Sequence, residues 1–182
     1  MEVLISIVVL SFGMLAMVGL QASALQSNRE ARMQSTATGL ARELAEKMRG
    51  NHEVATLAPA DNPYFGNFAS SPLAATTPTF CLSVGATACA NAVAVANAEM
   101  TEWLARVSND LPGARVTVCF DETPFTAAGL PQWDCTTKGD VAVVKIGWTR
   151  GATNRAETGA KAFEKATAPS VVFPVTPATD TL

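Results

Sequence analysis

The length, composition and charge of the chain restrict its fold and its function. Its 182 residues are enough for one domain with an appendage. A net charge of −3 with 16% charged residues argues against a nucleic-acid-binding protein, which would need a broad basic surface. A long apolar run occupies residues 1–20 and the remainder is more polar, which favours an anchored protein over a uniformly packed enzyme.

The first predicted element is a helix that starts with an uncharged apolar segment. No charge occurs between Val3 and Leu20. At ~1.5 Å per residue these residues span roughly 27 Å, which is near the hydrocarbon thickness of a bilayer. A cleaved secretory signal is not expected, because no basic stretch precedes the run and no clear small-residue cleavage site follows it. We therefore predict that residues 1–20 cross a membrane.

The same helix is predicted to continue as far as residue 51. Residues 21–49 contain no proline, and Glu43 and Lys47 are four residues apart in the favourable order. Gly50 and Asn51 provide a stop. Apolar residues also recur every three or four positions, at Met33, Ala37, Leu40, Leu44 and Met48. The pattern predicts one helix of about fifty residues that is apolar all round at first and amphipathic later.

Glu2 is the only charged residue in the apolar start of this helix. A carboxylate that is buried without a partner costs several kcal/mol, so Glu2 needs a partner or a polar boundary. The helix dipole also favours an acidic residue at the amino end. A position in the lipid headgroup region, without any functional role, is therefore an equal alternative.

Residues 52–182 are predicted to form a small α+β domain, with helices followed by an antiparallel sheet. Residues 52–80 contain several prolines and indicate a surface loop or linker, which Tyr64 and Phe65 attach to the core. Apolar spacing predicts a second helix over about 91–111, ended by a Pro-Gly pair.

Three short strands are predicted after this helix. Residues 116–120 and 144–148 alternate between apolar and other residues, which is typical of half-buried strands. Residues 171–173 form a further apolar run, and Pro174 restricts that strand to an edge or an end.

Four cysteines lie in this part of the chain: Cys81, Cys89, Cys119 and Cys135. An even number in a small domain behind an apolar segment favours disulfides. Neighbour pairing, 81 with 89 and 119 with 135, is our choice among three connectivities. Crossed pairing and four free buried thiols remain alternatives. No metal site is expected, because no CxxC spacing occurs and the only histidine is distant.

The chain lacks the residue patterns that catalysis requires. His52 is the single histidine, the Asp121-Glu122 pair is interpreted as solvated turn charges, and no glycine-rich phosphate loop occurs. We predict a protein without enzymatic activity and without a cofactor.

The string MEVLISIVVL at residues 1–10 resembles the start of mature type IV pilins and of type II secretion pseudopilins. The resemblance implies a filament subunit in which residues 1–20 enter a filament core. It also implies that Glu2 pairs with the positively charged N-terminus of a neighbouring subunit. The stretch LARELAEKMRGN at 40–51, with EWL at 102–104 and LPG at 111–113, resembles PilV-like minor pilins.

This resemblance implies a place and a set of partners. The chain would be stored in the bacterial inner membrane as a single-pass protein with a periplasmic domain, and would then join a pilus at the cell surface. Its partners would be the major pilin, other minor pilins and a pilus tip adhesin, and not nucleic acid. The alternatives are a type II secretion pseudopilin and a single-pass sensor ectodomain.

Overall fold

The computed structural model describes residues 2–139, 141–152, 154 and 156–175. The chain divides into two compact units, Met1–Ser35 and Thr36–Leu182. A short 3₁₀ helix covers Gly159–Ala162. The other elements are α1 (Glu2–Gly50), α2 (His52–Ala55), β1 (Gly66–Phe68), α3 (Ala92–Asp110), β2 (Arg115–Phe120), β3 (Ala142–Gly147), β4 (Arg150–Gly151), β5 (Phe163–Glu164) and β6 (Val171–Pro174). The predicted α+β class, with a long N-terminal helix and a small antiparallel sheet, is confirmed.

Helix α1 changes character along its length, as its sequence predicts. Its first twenty described residues are exposed, whereas a stripe in the second unit is buried. The helix ends at Gly50, with basic Lys47 and Arg49 in its last turn, where they complement the helix dipole. The buried stripe consists of Ala37, Leu40, Ala41, Leu44, Ala45 and Met48.

Helix α3 packs against the second half of α1. Its first turn is capped by Asn91, whose side chain accepts a hydrogen bond of 2.8 Å from the Ala94 N–H. Trp103, which is fully buried, donates from Nε1 to the Leu40 carbonyl of α1 at 2.9 Å. Both the existence and the approximate bounds of this predicted helix are confirmed.

The main sheet is antiparallel with the order β1-β2-β3-β6. Strand pairing places Val116 opposite Ile146 and Val118 opposite Val144, and all four side chains are buried. The prediction that the strand over 144–148 is half-buried was wrong, because all six residues of β3 are buried. β3 lies between β2 and β6, and Trp133 from the segment after β2 lies against Gly147 on its second face.

Residues 52–80 are more than a surface loop or linker. They contain α2 and the edge strand β1, which pairs with β2. Tyr64 is fully buried, and the ring of Phe65 meets that of Phe120 edge-on with centroids 4.8 Å apart. These two aromatic residues therefore attach the segment to the core, as predicted.

Candidate functional site

The apolar helix segment, which we define as residues 3–25, exposes its large side chains on all sides. No charged residue occurs from Val3 to Asn28. The most apolar 18-residue window of α1 has a mean hydropathy of 2.6, and none of that window is buried. By length and composition the helix is able to cross a membrane. A surface of this kind in a protein marks contact with lipid or with other protein.

Glu2 lies at the start of this segment. The Glu2 backbone carbonyl accepts a hydrogen bond of 2.9 Å from Ser6 Oγ, and Ser11 Oγ donates to the Ile7 carbonyl at 2.7 Å. Both serine hydroxyls are thus satisfied within the helix, which makes them compatible with an apolar environment. Within the described part of the chain, no group donates to the Glu2 carboxylate. In an apolar environment the Glu2 carboxylate would therefore need a partner from outside the helix.

The four cysteines lie in the second unit, where the structure joins neighbours in sequence. Cys81 is bonded to Cys89, and Cys119 is bonded to Cys135. Each bond closes a loop, and the two loops differ in what they surround.

The loop closed by Cys81 and Cys89, together with Phe80 just before it, presents apolar side chains to solvent. Phe80, Leu82 and Val84 are 66%, 45% and 107% exposed, and hence more exposed than most apolar residues of a folded domain. Sequence reasoning identified the cysteines and missed these three residues. Alternation of apolar and small residues over 80–84 was the available signal.

The loop closed by Cys119 and Cys135 covers a buried ion pair. Lys145 of β3 and Asp121 have fully buried side chains, and Lys145 Nζ lies 2.5 Å from Asp121 Oδ2. Lys145 Nζ also donates to the Asp134 carbonyl at 2.6 Å. The interpretation of Asp121 as a solvated turn charge was wrong, because the loop folds back over the second face of the sheet and encloses its carboxylate.

Opposing effects act on the acidity of Asp121. Burial alone would raise its pKa, but the hydrogen bond from Lys145 lowers it. The backbone N–H groups of Thr123 and Thr136, 3.1 and 3.3 Å from Oδ1, lower it further. The pKa of Asp121 is held below its usual value, so the carboxylate is ionised at neutral pH. The pair is a charged structural contact within the protein interior.

A partly buried polar contact joins the 52–80 segment to α3. The Tyr64 hydroxyl donates to Glu99 Oε2 at 2.5 Å. Burial, followed by the hydrogen bond and the negative charge of Glu99, raises the pKa of Tyr64 far above its usual value. The tyrosine therefore stays protonated and acts as a hydrogen-bond donor that fixes this segment.

One cluster contains residue types that often bind metals, but its ligand atoms are already engaged in other bonds. Cys119, Asp121 and Cys135 bring potential ligand atoms within 4.8 Å of one another. The two sulfur atoms form a disulfide bond, and the carboxylate forms a hydrogen-bonded ion pair with Lys145. A thiolate is the form of cysteine that binds a metal, so this cluster does not fit one.

Comparison with protein families relates part of the chain to a known class. Residues 19–101 match the Tt1218-like family, described as type IV pilin Tt1218. This finding supports a type IV pilin. The match covers a little under half of the chain, from Gly19 in α1 to Thr101 in α3. No match was found among curated proteins or among solved structures.

Type IV pilins are structural proteins that are anchored in a membrane and then assembled into a pilus. The exposed apolar helix of this chain is consistent with both stages. The pilin match begins after Glu2 and ends before β2. The roles of Glu2 and of the sheet therefore rest on their own physical arguments.

Proposed function

We propose that the chain is a minor pilin of the type IV pilus and has no enzymatic activity. It is held in the bacterial inner membrane by residues 1–20, with its α+β domain in the periplasm, and then enters a pilus at the cell surface. The observation that carries this proposal is the fully exposed, charge-free helix segment with a single carboxylate at its start. Such a helix is stabilised first by burial in lipid and later by packing against other apolar helices.

Glu2 is proposed to fix the position of the subunit along the filament. Between packed apolar helices an unpaired carboxylate costs several kcal/mol. The positively charged N-terminus of a neighbouring subunit would remove that cost, as the resemblance to pilins implies. Because only one axial offset brings the two groups together, the pair selects the register of assembly.

The finer assignment is to a PilV-like subunit that helps to start assembly at the pilus tip. Its partners are proposed to be other minor pilins, the major pilin and a tip adhesin. The support is the LARELAEKMRGN stretch, whose apolar positions Leu40, Leu44 and Met48 are buried while Glu43 forms ion pairs with Lys47 and Arg106. The stretch thus both supplies core packing and sets the polar face of α1.

The test is to replace Glu2 and to measure two quantities in a piliated host. Glu2→Gln keeps the size of the side chain and removes its charge, and Glu2→Val makes the segment wholly apolar. We expect the amount of chain in the inner membrane to stay unchanged, since neither change reduces the apolar character of the helix. We expect recovery in sheared pili to fall at least tenfold, equal to about 1.4 kcal/mol.

Glu53→Gln provides a matched control, because this exposed acidic residue lies in α2 outside the apolar segment. It should leave both quantities unchanged. Equal recovery of the native chain and the Glu2 variants in pili would contradict the role of Glu2. Absence of the native chain from pili, with full retention in the membrane, would contradict the pilin assignment and favour a single-pass sensor.

A further inference from the structure

The loop between Thr79 and Ala90, here called the apolar loop, combines exposure with rigidity. Phe80, Leu82 and Val84 are 45–107% exposed, although the loop is closed by the Cys81–Cys89 bond. Two turns stabilise it, with hydrogen bonds from Ser83 N to Phe80 O at 2.9 Å and from Ala86 N to Ser83 O at 3.0 Å. The apolar side chains are therefore held outward in a fixed arrangement.

The apolar loop is also attached at its base to α3. Thr79 N donates to Thr101 Oγ1 at 3.2 Å, and Cys81 Sγ lies 3.6 Å from the Ala94 carbonyl oxygen. Since α3 is packed against α1 in the domain core, the loop is presented by a rigid scaffold. Little conformational entropy remains to be lost when a partner binds it.

The charge pattern restricts the chemistry of that partner. No charged residue occurs from Asn62 to Ala98, a range that contains the whole apolar loop. The loop itself therefore offers no charge to a partner, and an apolar, uncharged surface is the best match to its exposed side chains.

The size of the surface restricts how the partner is held. The three side chains expose on the order of 300 Å² of apolar area, which is within the range of the largest apolar patch on a typical monomer, a patch that is often functional. A stable complex of two freely diffusing proteins needs about 800 Å² from each partner. The apolar loop is too small to capture a soluble protein by itself. It is large enough for a partner that is already held beside it, because tethering raises the effective concentration to about the millimolar range.

We propose that the apolar loop docks onto the globular domain of an adjacent pilin subunit, against an uncharged apolar surface, once the helices of both subunits are packed together. This inference rests on the proposed function, which supplies the tethering. The loop contributes specificity for the neighbour, and the apolar helix segment contributes most of the affinity.

Photo-crosslinking in the piliated host tests the proposal directly. A benzophenone amino acid is placed at position 84, and a control is placed at position 130, where Leu130 is 64% exposed in the other disulfide loop. Mass spectrometry should identify a pilin subunit in the crosslinked product from position 84, at a yield at least fivefold above that from position 130. Crosslinking of position 84 to lipid or to a soluble protein alone, or equal yields from both positions, would overturn the proposal.

A charge substitution gives an independent measurement. Val84→Asp should lower recovery in pili at least threefold without changing the amount of chain in the membrane, whereas Leu130→Asp should change neither. Equal recovery of the two variants would count against the docking role. The native chain is measured in parallel, because its absence from pili would refute the proposed function and not the loop contact in particular.

Discussion

The two disulfide-closed loops use the same covalent bond for opposite purposes. The apolar loop, closed by Cys81 and Cys89, holds Phe80, Leu82 and Val84 in solvent, whereas the Cys119–Cys135 loop encloses Asp121 beside Lys145. One loop turns apolar groups outward, and the other turns charged groups inward. Both arrangements are unfavourable unless something compensates for them.

The difference lies in where that compensation comes from. The buried pair is satisfied within the domain, by mutual attraction and by hydrogen bonds with the loop, which accepts one from Lys145 and donates two from backbone N–H groups to Asp121. The exposed apolar loop has no such cover within the described residues, and we have proposed that a neighbouring subunit supplies it. The Cys119–Cys135 loop should therefore matter for the stability of the domain, and the apolar loop for assembly.

The largest expected effect comes from breaking the buried pair. Asp121→Ala should lower the free energy of unfolding by about 3–5 kcal/mol, because the Lys145 ammonium group would remain buried without a counter-charge. Urea unfolding of the full chain in detergent measures this, with the fluorescence of the buried residues Trp103 and Trp148 as the signal.

Two further variants sharpen this measurement. Glu122→Ala removes the neighbouring, exposed carboxylate and should cost less than about 0.5 kcal/mol. Adding Lys145→Met to Asp121→Ala should restore more than half of the loss, because no unpaired charge is then buried. A loss in Asp121→Ala no larger than that in Glu122→Ala would show that the pair does not stabilise the domain.

The next effect comes from opening each loop. Serine replacement of Cys119 and Cys135, 16 residues apart, should cost about 3 kcal/mol from chain entropy. The same change at Cys81 and Cys89, 8 residues apart, should cost about 2.5 kcal/mol. Loss of the cover over Lys145 should widen this gap, and the same urea experiment measures it. If opening the apolar loop lowered the free energy of unfolding by as much or more, the Cys119–Cys135 loop would not be the more important of the two for stability.

A smaller effect is expected from acid. The pKa of Asp121 is lowered in the folded protein, so the pair contributes its stability above the unfolded value of about 3.9 and loses it as the pH falls through the folded value. Unfolding measured from pH 6 down to pH 2 should show a steeper loss in the native chain than in the Asp121→Ala/Lys145→Met variant. Parallel curves would contradict this assignment.

The smallest effect is expected at the apolar loop. Val84→Asp should change the free energy of unfolding by less than about 0.5 kcal/mol, because the side chain is fully exposed and has no core contact to lose. The same urea experiment checks this. A loss above about 1 kcal/mol would mean that Val84 stabilises the fold, and a reduced recovery in pili could not then be assigned to docking alone.

Local patterns predicted the helices well. Apolar spacing and the Pro-Gly pair after Leu111 gave the bounds of α3 to within about one residue, and the stripe from Ala37 to Met48 gave the buried face of α1. These features depend on neighbours in sequence, which is why periodicity and helix-stop signals are sufficient.

The features that escaped prediction depend on contacts between distant residues. Strand β1 has only three residues, begins with a glycine and is defined by its pairing with β2. The buried pair joins positions 121 and 145, and alternation in β3 placed Lys145 on the face expected to be solvated. A lysine between Val144 and Ile146 was the available signal, since a charge in a strand that is covered on both faces requires a counter-charge.

The attachment of α3 to α1 determines how the domain bears mechanical load. The indole of Trp103 is bonded to the Leu40 carbonyl, Arg106 forms an ion pair with Glu43, and Asn51 Nδ2 donates to the Ala92 carbonyl at 2.9 Å. These contacts run from Leu40 in α1 to Asn51 just after its end, so a pull along that helix would load them in parallel and not one after another. Contacts that share a force in this way rupture together, and the domain should therefore resist extension better than its small sheet alone would allow.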